Sequence, residues 1–418
     1  MSEIDALVER CAKDAKEAAR TLAIAPTPQK NAALLRAAEG FVENADALIE
    51  ANRKDLATAE RMELSAAMLD RLRLDAPRIE AMVEGVRQVA ALPDPVGAVA
   101  EERTLENGLK VTRVRAPLGL IGIIYESRPN VTADAAALCI KSGNAVLLRG
   151  GKEAFESNKV IASIVSEALE AEGLPAAGAT LLPTTDRRAT LAMIGLDGVV
   201  DLVIPRGGEG LIRFVAEHSR VPVVQHYKGV CHVYVADDAD LEMALAIADN
   251  AKTHRPGVCD AMETLLVDQA VAREFLPQLA ARFGGKVELR GDDATRGILS
   301  DAKPASDADW DTEYLEMVLA VRVVKGIDEA IAHVAKHGSQ HTEAIVTTSE
   351  AKAQRWVREV DASLVLVNAS TRFNDGYQLG LGAEMGISTT KLHAYGPMGL
   401  QELCTLRWVA YGQGQIRA

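Results

Sequence analysis

From residue 118 to residue 235 the chain alternates short runs of Val, Ile and Leu with amphipathic stretches, and this rhythm narrows the possible folds more than any other feature. The apolar runs are Leu118–Tyr125, Ala145–Arg149, Ala179–Leu182, Val199–Ile204, Val221–Gln225 and His232–Val235. Between them Ala133–Lys141, Glu153–Glu172, Arg187–Ile194 and Glu209–His218 repeat near the helical period. A strand that is apolar on both faces needs cover on both. Alternation with helices therefore predicts a parallel sheet wrapped on either side.

The rhythm restarts after a helix at Leu241–Ala251. Strands are expected at Glu263–Val267, Val318–Val324, Ala344–Thr347 and Ser363–Val367, and helices at Val271–Phe283, Ile327–Lys336 and Glu350–Val360. A second α/β unit thus begins near residue 230. Ahead of both units, residues 2–91 read as helices that stop at Leu92-Pro93-Asp94-Pro95-Val96-Gly97, where two prolines and a glycine cannot continue a helix. Lys110–Arg115 reads as an alternating strand behind an Asn107-Gly108 turn, and Leu403–Tyr411 as a terminal strand.

With 46 Lys and Arg against 59 Asp and Glu, the net charge of −13 argues against a protein that tracks nucleic-acid phosphates. Local cations can still make a pocket positive for a small anion. Aromatic residues are only 4% of the chain, so the aliphatic residues must build the cores. No apolar stretch is long enough to span a bilayer and no leader is readable at the N-terminus. The five cysteines are scattered, with no CxxC pair and no Cys/His spacing typical of zinc, so neither disulfides nor a metal is expected. A reduced, cytoplasmic protein follows as the expectation.

Five segments carry the chemistry. Thr253-His254-Arg255-Pro256-Gly257-Val258-Cys259-Asp260 sets a cysteine in a Pro-Gly loop between a helix and a strand, where basic neighbours favour the thiolate. Such a thiolate suits acyl transfer, although a buried structural cysteine is the commoner role. Arg149-Gly150-Gly151-Lys152 and Arg206-Gly207-Gly208-Glu209 are each strand, glycine turn and helix start, places where backbone and helix dipole accept anions. Neither is a G-x-G-x-x-G fingerprint nor a P-loop. Glu126-Ser127-Arg128-Pro129-Asn130-Val131-Thr132 is a polar loop behind a buried strand, in which Asn130 is either functional or a helix cap. Gln225-His226-Tyr227-Lys228-Gly229 offers an imidazole, as an acid/base, a phosphate partner or a satisfied core histidine.

In this order these segments resemble the aldehyde dehydrogenase superfamily, and within it the gamma-glutamyl phosphate reductase family. Asn368-Ala369-Ser370-Thr371-Arg372-Phe373-Asn374-Asp375-Gly376 and His393-Ala394-Tyr395-Gly396-Pro397-Met398-Gly399-Leu400 extend the likeness over nearly the whole chain. The resemblance implies an α/β, aldehyde dehydrogenase-like fold, with two doubly wound parallel-sheet domains and a small oligomerisation β element. Residues 1–97 and 116–228 would bind the cofactor, with 384–402 returning to that domain. Residues 229–383 would be catalytic, and 98–115 with 403–418 would form the oligomerisation element.

The reaction implied is NADPH-dependent reduction of L-glutamate 5-phosphate to the 5-semialdehyde, the second step from glutamate to proline. It would pass through a Cys259 thioester, with Asn130 or Arg128 as side-chain oxyanion donor. NADP(H) would be held by Arg149, Gly151, Lys152, Arg206, Gly207, Gly208 and Glu316. The substrate would be held by Arg255, His226, Lys228, Ser370, Thr371 and Arg372. Lys152 stands where NAD-using relatives carry a glutamate, and His226 where hydrolytic relatives carry a glutamate base. Asp260 stands where asparagine is common, and Tyr395 where arginine is usual. The resemblance also implies a dimer or tetramer and a glutamate 5-kinase as candidate partner. The alternative reading is a CoA-acylating aldehyde dehydrogenase, with the same thioester and another acceptor.

Overall fold

The computed structural model describes residues 2–417, which divide into two compact units, residues 2–225 with 380–386 and 398–417, and residues 226–379 with 387–397.

The first unit opens with the helices Glu3–Leu22, Thr27–Glu43, Ala45–Arg61, Ala66–Leu72 and Ala76–Ala91. The first of these starts at a capping box, in which the Ser2 hydroxyl accepts from the Asp5 N–H and the Asp5 carboxylate accepts from the Ser2 N–H. It buries Val8, Ala12, Ala15, Ala19 and Leu22, the three-and-four spacing of one helix face. The Pro-Asp-Pro stop is fixed by Asp94, whose carboxylate meets the buried Lys30 ammonium at 2.6 Å and the Thr27 hydroxyl at 2.7 Å.

Strands β1 (Val99–Thr104) and β2 (Lys110–Pro117) form an antiparallel hairpin, and the C-terminal strand Cys404–Tyr411 pairs along the other edge of β2. Then β3 (Leu120–Tyr125), β4 (Ala145–Gly150), β5 (Ala179–Leu181) and β6 (Leu202–Arg206) make a parallel sheet in the order β5-β4-β3-β6. Every residue of β3 and of β4 is buried, as their apolar runs require. The connections run to one side of β3 and then to the other, so a topological switch point lies at the carboxyl ends of β3 and β6. There Tyr125 is in register with Gly150 on one side and with Arg206 on the other.

Two expectations are corrected here. Val221–Gln225 is not a strand; only an isolated bridge from Val223 to Val203 touches the sheet, because Pro222 has no N–H to give to a ladder. The strand expected at Val199–Ile204 starts later and runs through Pro205, which is tolerated because β6 lies at the sheet edge.

The second unit holds β7 (Cys231–Val235), β8 (Met262–Asp268), β9 (Glu288–Gly291), β10 (Lys303–Pro304), β11 (Val318–Val324), β12 (Thr342–Val346) and β13 (Leu364–Val367). All are parallel, in the order β10-β9-β11-β8-β7-β12-β13. One core lies between this sheet and the helices Leu241–Thr253 and Ala272–Phe283, another between its opposite face and the helices Ile327–His337 and Glu350–Glu359. Among the described residues no helix is long and apolar enough to cross a membrane.

Candidate active site

In the first unit the site residues gather at the switch point. Arg128 and Asn130 are exposed just past β3, and Asn130 is the first residue of the helix Asn130–Lys141. Its side chain does not cap that helix. It donates to Asp134 one turn on, at 2.9 Å, and burial pushes the Asp134 carboxyl up to about 6. Ser127 adopts φ +44° and gives both its N–H and its hydroxyl to one oxygen of Glu153, at 2.7 and 2.9 Å. This carboxylate fills the space beside Gly151, where a Cβ would lie 2.1 Å from Glu153 Oε1.

Lys152 is exposed on the turn into the helix Phe155–Ala171. Arg149 is buried, and its guanidinium donates to the carbonyls of Gly150, Thr185 and Asp186. It thus ties the end of β4 to the 185–186 loop. Arg206 closes β6 and lies against the backbone of Gly386, whose φ is +155° and where a Cβ would come 2.7 Å from Nη1. Gly207 has Glu126 Oε2 2.4 Å from an added Cβ, and the Gly208 N–H donates to that same oxygen at 3.1 Å. An anion acceptor therefore already sits at the N-terminus of the helix Glu209–His218.

In the second unit the site lies at the amino edge of the sheet, among the loops that enter β7, β8 and β12. The Cys259 loop is closed at its base by a buried ion pair, Lys252 to Glu263 at 2.6 Å. The other Glu263 oxygen takes the Leu315 N–H at 3.1 Å, and burial pushes this carboxyl up to about 7. Gly229 admits no side chain, since a Cβ there would lie 1.7 Å from the Cys259 carbonyl oxygen. The buried Cys231 thiol donates to that carbonyl at 3.1 Å.

Cys259 is half-buried, and a ring nitrogen of His226 and one of His341 lie with its sulfur inside a cluster no wider than 4.8 Å. The two rings meet edge to face at 5.4 Å. His226 donates from Nδ1 to the Ile387 carbonyl at 3.0 Å, so its neutral ring carries a lone pair on Nε2. Arg372 ion-pairs with Asp260, next to Cys259, and burial lowers its pKa while the charges of Asp375 and Cys259 favour its cation. Asp260 is thereby neutralised where its charge would most hinder a thiolate.

Ser370 caps the short turn Thr371–Phe373 by accepting from the Arg372 N–H at 3.3 Å. Thr371 is fully buried, and its hydroxyl has no hydrogen-bond partner among the described residues. Lys228 donates to the Asp311 carbonyl, Arg255 is exposed, and Glu316 is exposed on the loop before β11. Tyr395 donates to Asp361 at 3.0 Å, and Lys391 reaches the same carboxylate at 2.7 Å, so this tyrosine anchors the 391–395 loop.

The structure thus brings Cys259, His226 and Arg372 together and spreads Arg255, Lys228 and Glu316 over the loops around them. Sequence reasoning missed His341, Cys231, Glu126, Glu153 and Glu263. Glu126 and Glu153 lie in segments already singled out, but which glycine turn each would fill depends on the register of strands far apart in sequence.

The aldehyde dehydrogenase family profile matches residues 3–297. The gamma-glutamyl phosphate reductase of Geobacter metallireducens is 56% identical, with 98% of each chain covered. That of Carboxydothermus hydrogenoformans is 56% identical over 97% of this chain and 98% of its own. The crystal structure of the Thermotoga maritima gamma-glutamyl phosphate reductase superposes with a TM-score of 0.96 at 45% identity, covering 98% of this chain and all of that one.

Proposed function

This chain belongs to the aldehyde dehydrogenase family, and we propose that it reduces L-glutamate 5-phosphate to L-glutamate 5-semialdehyde with NADPH, releasing phosphate, as the second step from glutamate to proline. The observation that carries the reading is the grouping of a half-buried thiol with an oriented imidazole and a partly buried guanidinium.

The first unit fits a phosphorylated dinucleotide. It has a switch point, two glycine turns at the carboxyl ends of β4 and β6, an exposed Lys152, and Arg206 in the row that ends β3, β4 and β6. Gly151, Gly207 and Gly208 would let backbone approach the pyrophosphate, Lys152 would meet a 2′-phosphate, and Glu316 would hold the nicotinamide ribose. Arg149 supports this site indirectly, by fixing the loop at residues 185–186. When bound, the cofactor supplies the hydride that reduces the acyl group.

The residues do the rest. His226 Nε2 takes the Cys259 proton, and the thiolate attacks the acyl carbon and expels phosphate, leaving a thioester. The Cys259 N–H and a side-chain donor, Asn130 or Arg128, stabilise the oxyanion. Arg372 and Arg255 bind the phosphate with Lys228, and Ser370 and Thr371 shape the turn that aims Arg372. Position 226 carries no carboxylate base of the kind that hydrolytic relatives hold against the thioester, which suits an enzyme whose exchange partner is phosphate.

The domain roles follow the same reading, with 1–97, 116–228 and 384–402 serving the cofactor, 229–383 the chemistry, and 98–115 with 403–418 an interface between copies. Trp408 and Tyr411 on the C-terminal strand are 54% and 65% exposed, surface that a second copy would cover. A cytoplasmic location and hand-over from a glutamate 5-kinase, whose acyl phosphate is short-lived in water, complete the proposal. The CoA-acylating alternative has no observation in its favour.

The test is NADP⁺ reduction in the reverse direction, with glutamate 5-semialdehyde and phosphate. Cys259→Ala is expected to lose at least about a thousandfold in kcat. Activity surviving in that variant, or wild-type turnover that needs no phosphate, overturns the reading. Of Asn130→Ala and Arg128→Ala, the oxyanion donor is the one that lowers kcat by about 10²–10³.

A further inference from the structure

The second imidazole beside the nucleophile has no part in that chemistry. His341 is fully buried at the start of β12. Its Nδ1 lies 2.7 Å from the Thr342 hydroxyl, and its Nε2 has no hydrogen-bond partner among the described residues. A buried imidazole with one nitrogen oriented by a hydroxyl and the other unsatisfied costs stability unless something completes it. His226 is oriented in the same way, with Nδ1 donating to the Ile387 carbonyl. Rings held this way by an outer partner are what metal sites use to fix tautomer and direction.

We propose that Cys259, His226 and His341 form a three-ligand site for Zn²⁺ that reversibly sequesters the nucleophile. The donor set of one thiolate and two imidazoles suits zinc and leaves a fourth, open position for water. Neighbouring donors around a tetrahedral zinc lie about 3.5 Å apart. The three atoms here already lie within 4.8 Å of one another, so side-chain rotations of about an ångström close the site. Binding replaces the thiol proton, which leaves to solvent, and the metal-held sulfur no longer attacks an acyl phosphate. The nearby Arg372 cation would oppose a metal, but Asp260 already offsets it.

The idea that zinc blocks turnover rests on Cys259 being the nucleophile, but the metal site itself does not, so the two are read separately. Reduced, chelator-treated protein is titrated with Co²⁺. The expected result is one Co²⁺ per chain with a thiolate-to-cobalt charge-transfer band, displaced by one equivalent of Zn²⁺ and absent in Cys259→Ala. His341→Gln is expected to weaken Zn²⁺ by about tenfold or more in competition with a chromophoric chelator. Zn²⁺ is expected to protect Cys259 from alkylation, and chelator to restore it.

No charge-transfer band, a band that persists in Cys259→Ala, or unchanged Zn²⁺ affinity in His341→Gln overturns the site. Should His341→Gln fail to fold by circular dichroism, His226→Gln gives the same reading, with the same expectation. A cobalt band in protein that does not turn over glutamate 5-semialdehyde overturns the proposed function and leaves the metal site standing.

Discussion

In the proposed reaction, Lys152 is the residue on which cofactor choice would turn. It is exposed at a glycine turn, one position before a carboxylate that is already committed to Ser127. A cation there gains from a 2′-phosphate, whereas a glutamate would repel it and hydrogen-bond a ribose hydroxyl instead. Lys152→Glu is expected to lower kcat/KM for NADPH by about 10- to 100-fold, mostly through KM, and to raise that for NADH. Steady-state kinetics with both cofactors check it. A second prediction concerns His333, buried against Trp310, His232 and His337 with Arg322 on its Nδ1 at 3.0 Å. Burial, then the neighbouring cations, push its pKa down from 6.5 to about 2. The folded state therefore holds this ring neutral, while the unfolded chain binds a proton below pH about 6.5. Between those two values the unfolded state carries more protons, so stability falls as pH falls. This ring contributes a slope of about 1.4 kcal/mol per pH unit. Denaturant unfolding from pH 7 to pH 4.5 is expected to show a shallower acid-side loss in His333→Gln than in the wild type.

Among elements, the loop that carries Cys259 depends on a neighbour with no side chain. Gly229→Ala would drive a methyl into the Cys259 carbonyl, an overlap that only backbone movement relieves. A displacement of about 1 Å at the sulfur is expected to lower kcat by about 10²-fold with little change in NADPH affinity, measured by turnover beside cofactor fluorescence titration. Most elements could be read in advance because their apolar runs are strong; β3, β4, β7 and β8 are buried end to end. β9 and β10 were missed because Glu288, Arg290 and Lys303 interrupt any apolar pattern, in a two-residue edge strand and its short, partly exposed neighbour. Cys259, Gly207 and Gly208 stood out because their chemistry lies in short local motifs. His341 did not, since its neighbours Cys259 and His226 lie on other loops and only the β7–β12 and β7–β8 pairings bring those loops together.

At the scale of the whole molecule, the three-stranded sheet is the part whose surface is least explained by a single chain. Trp408 lies half-exposed with the guanidinium groups of Arg103 and Arg113 each 5.1 Å from its ring centre, a cation–π arrangement on an open face. Trp408→Glu is expected to shift sedimentation toward the monomer without unfolding the chain. An unchanged sedimentation coefficient would remove this strand from the interface. The pair between Arg372 and Asp260 also reaches beyond its own loop. An anion that binds Arg372 does not meet a bare cation; it takes over a seat that Asp260 already holds. In the proposed reaction, recognition there would be an exchange of one carboxylate for one phosphate, with the carboxylate released beside Cys259 as the acyl group arrives. Substrate affinity should then respond less to ionic strength than it does in Asp260→Asn, whose arginine lacks that ion-pair partner.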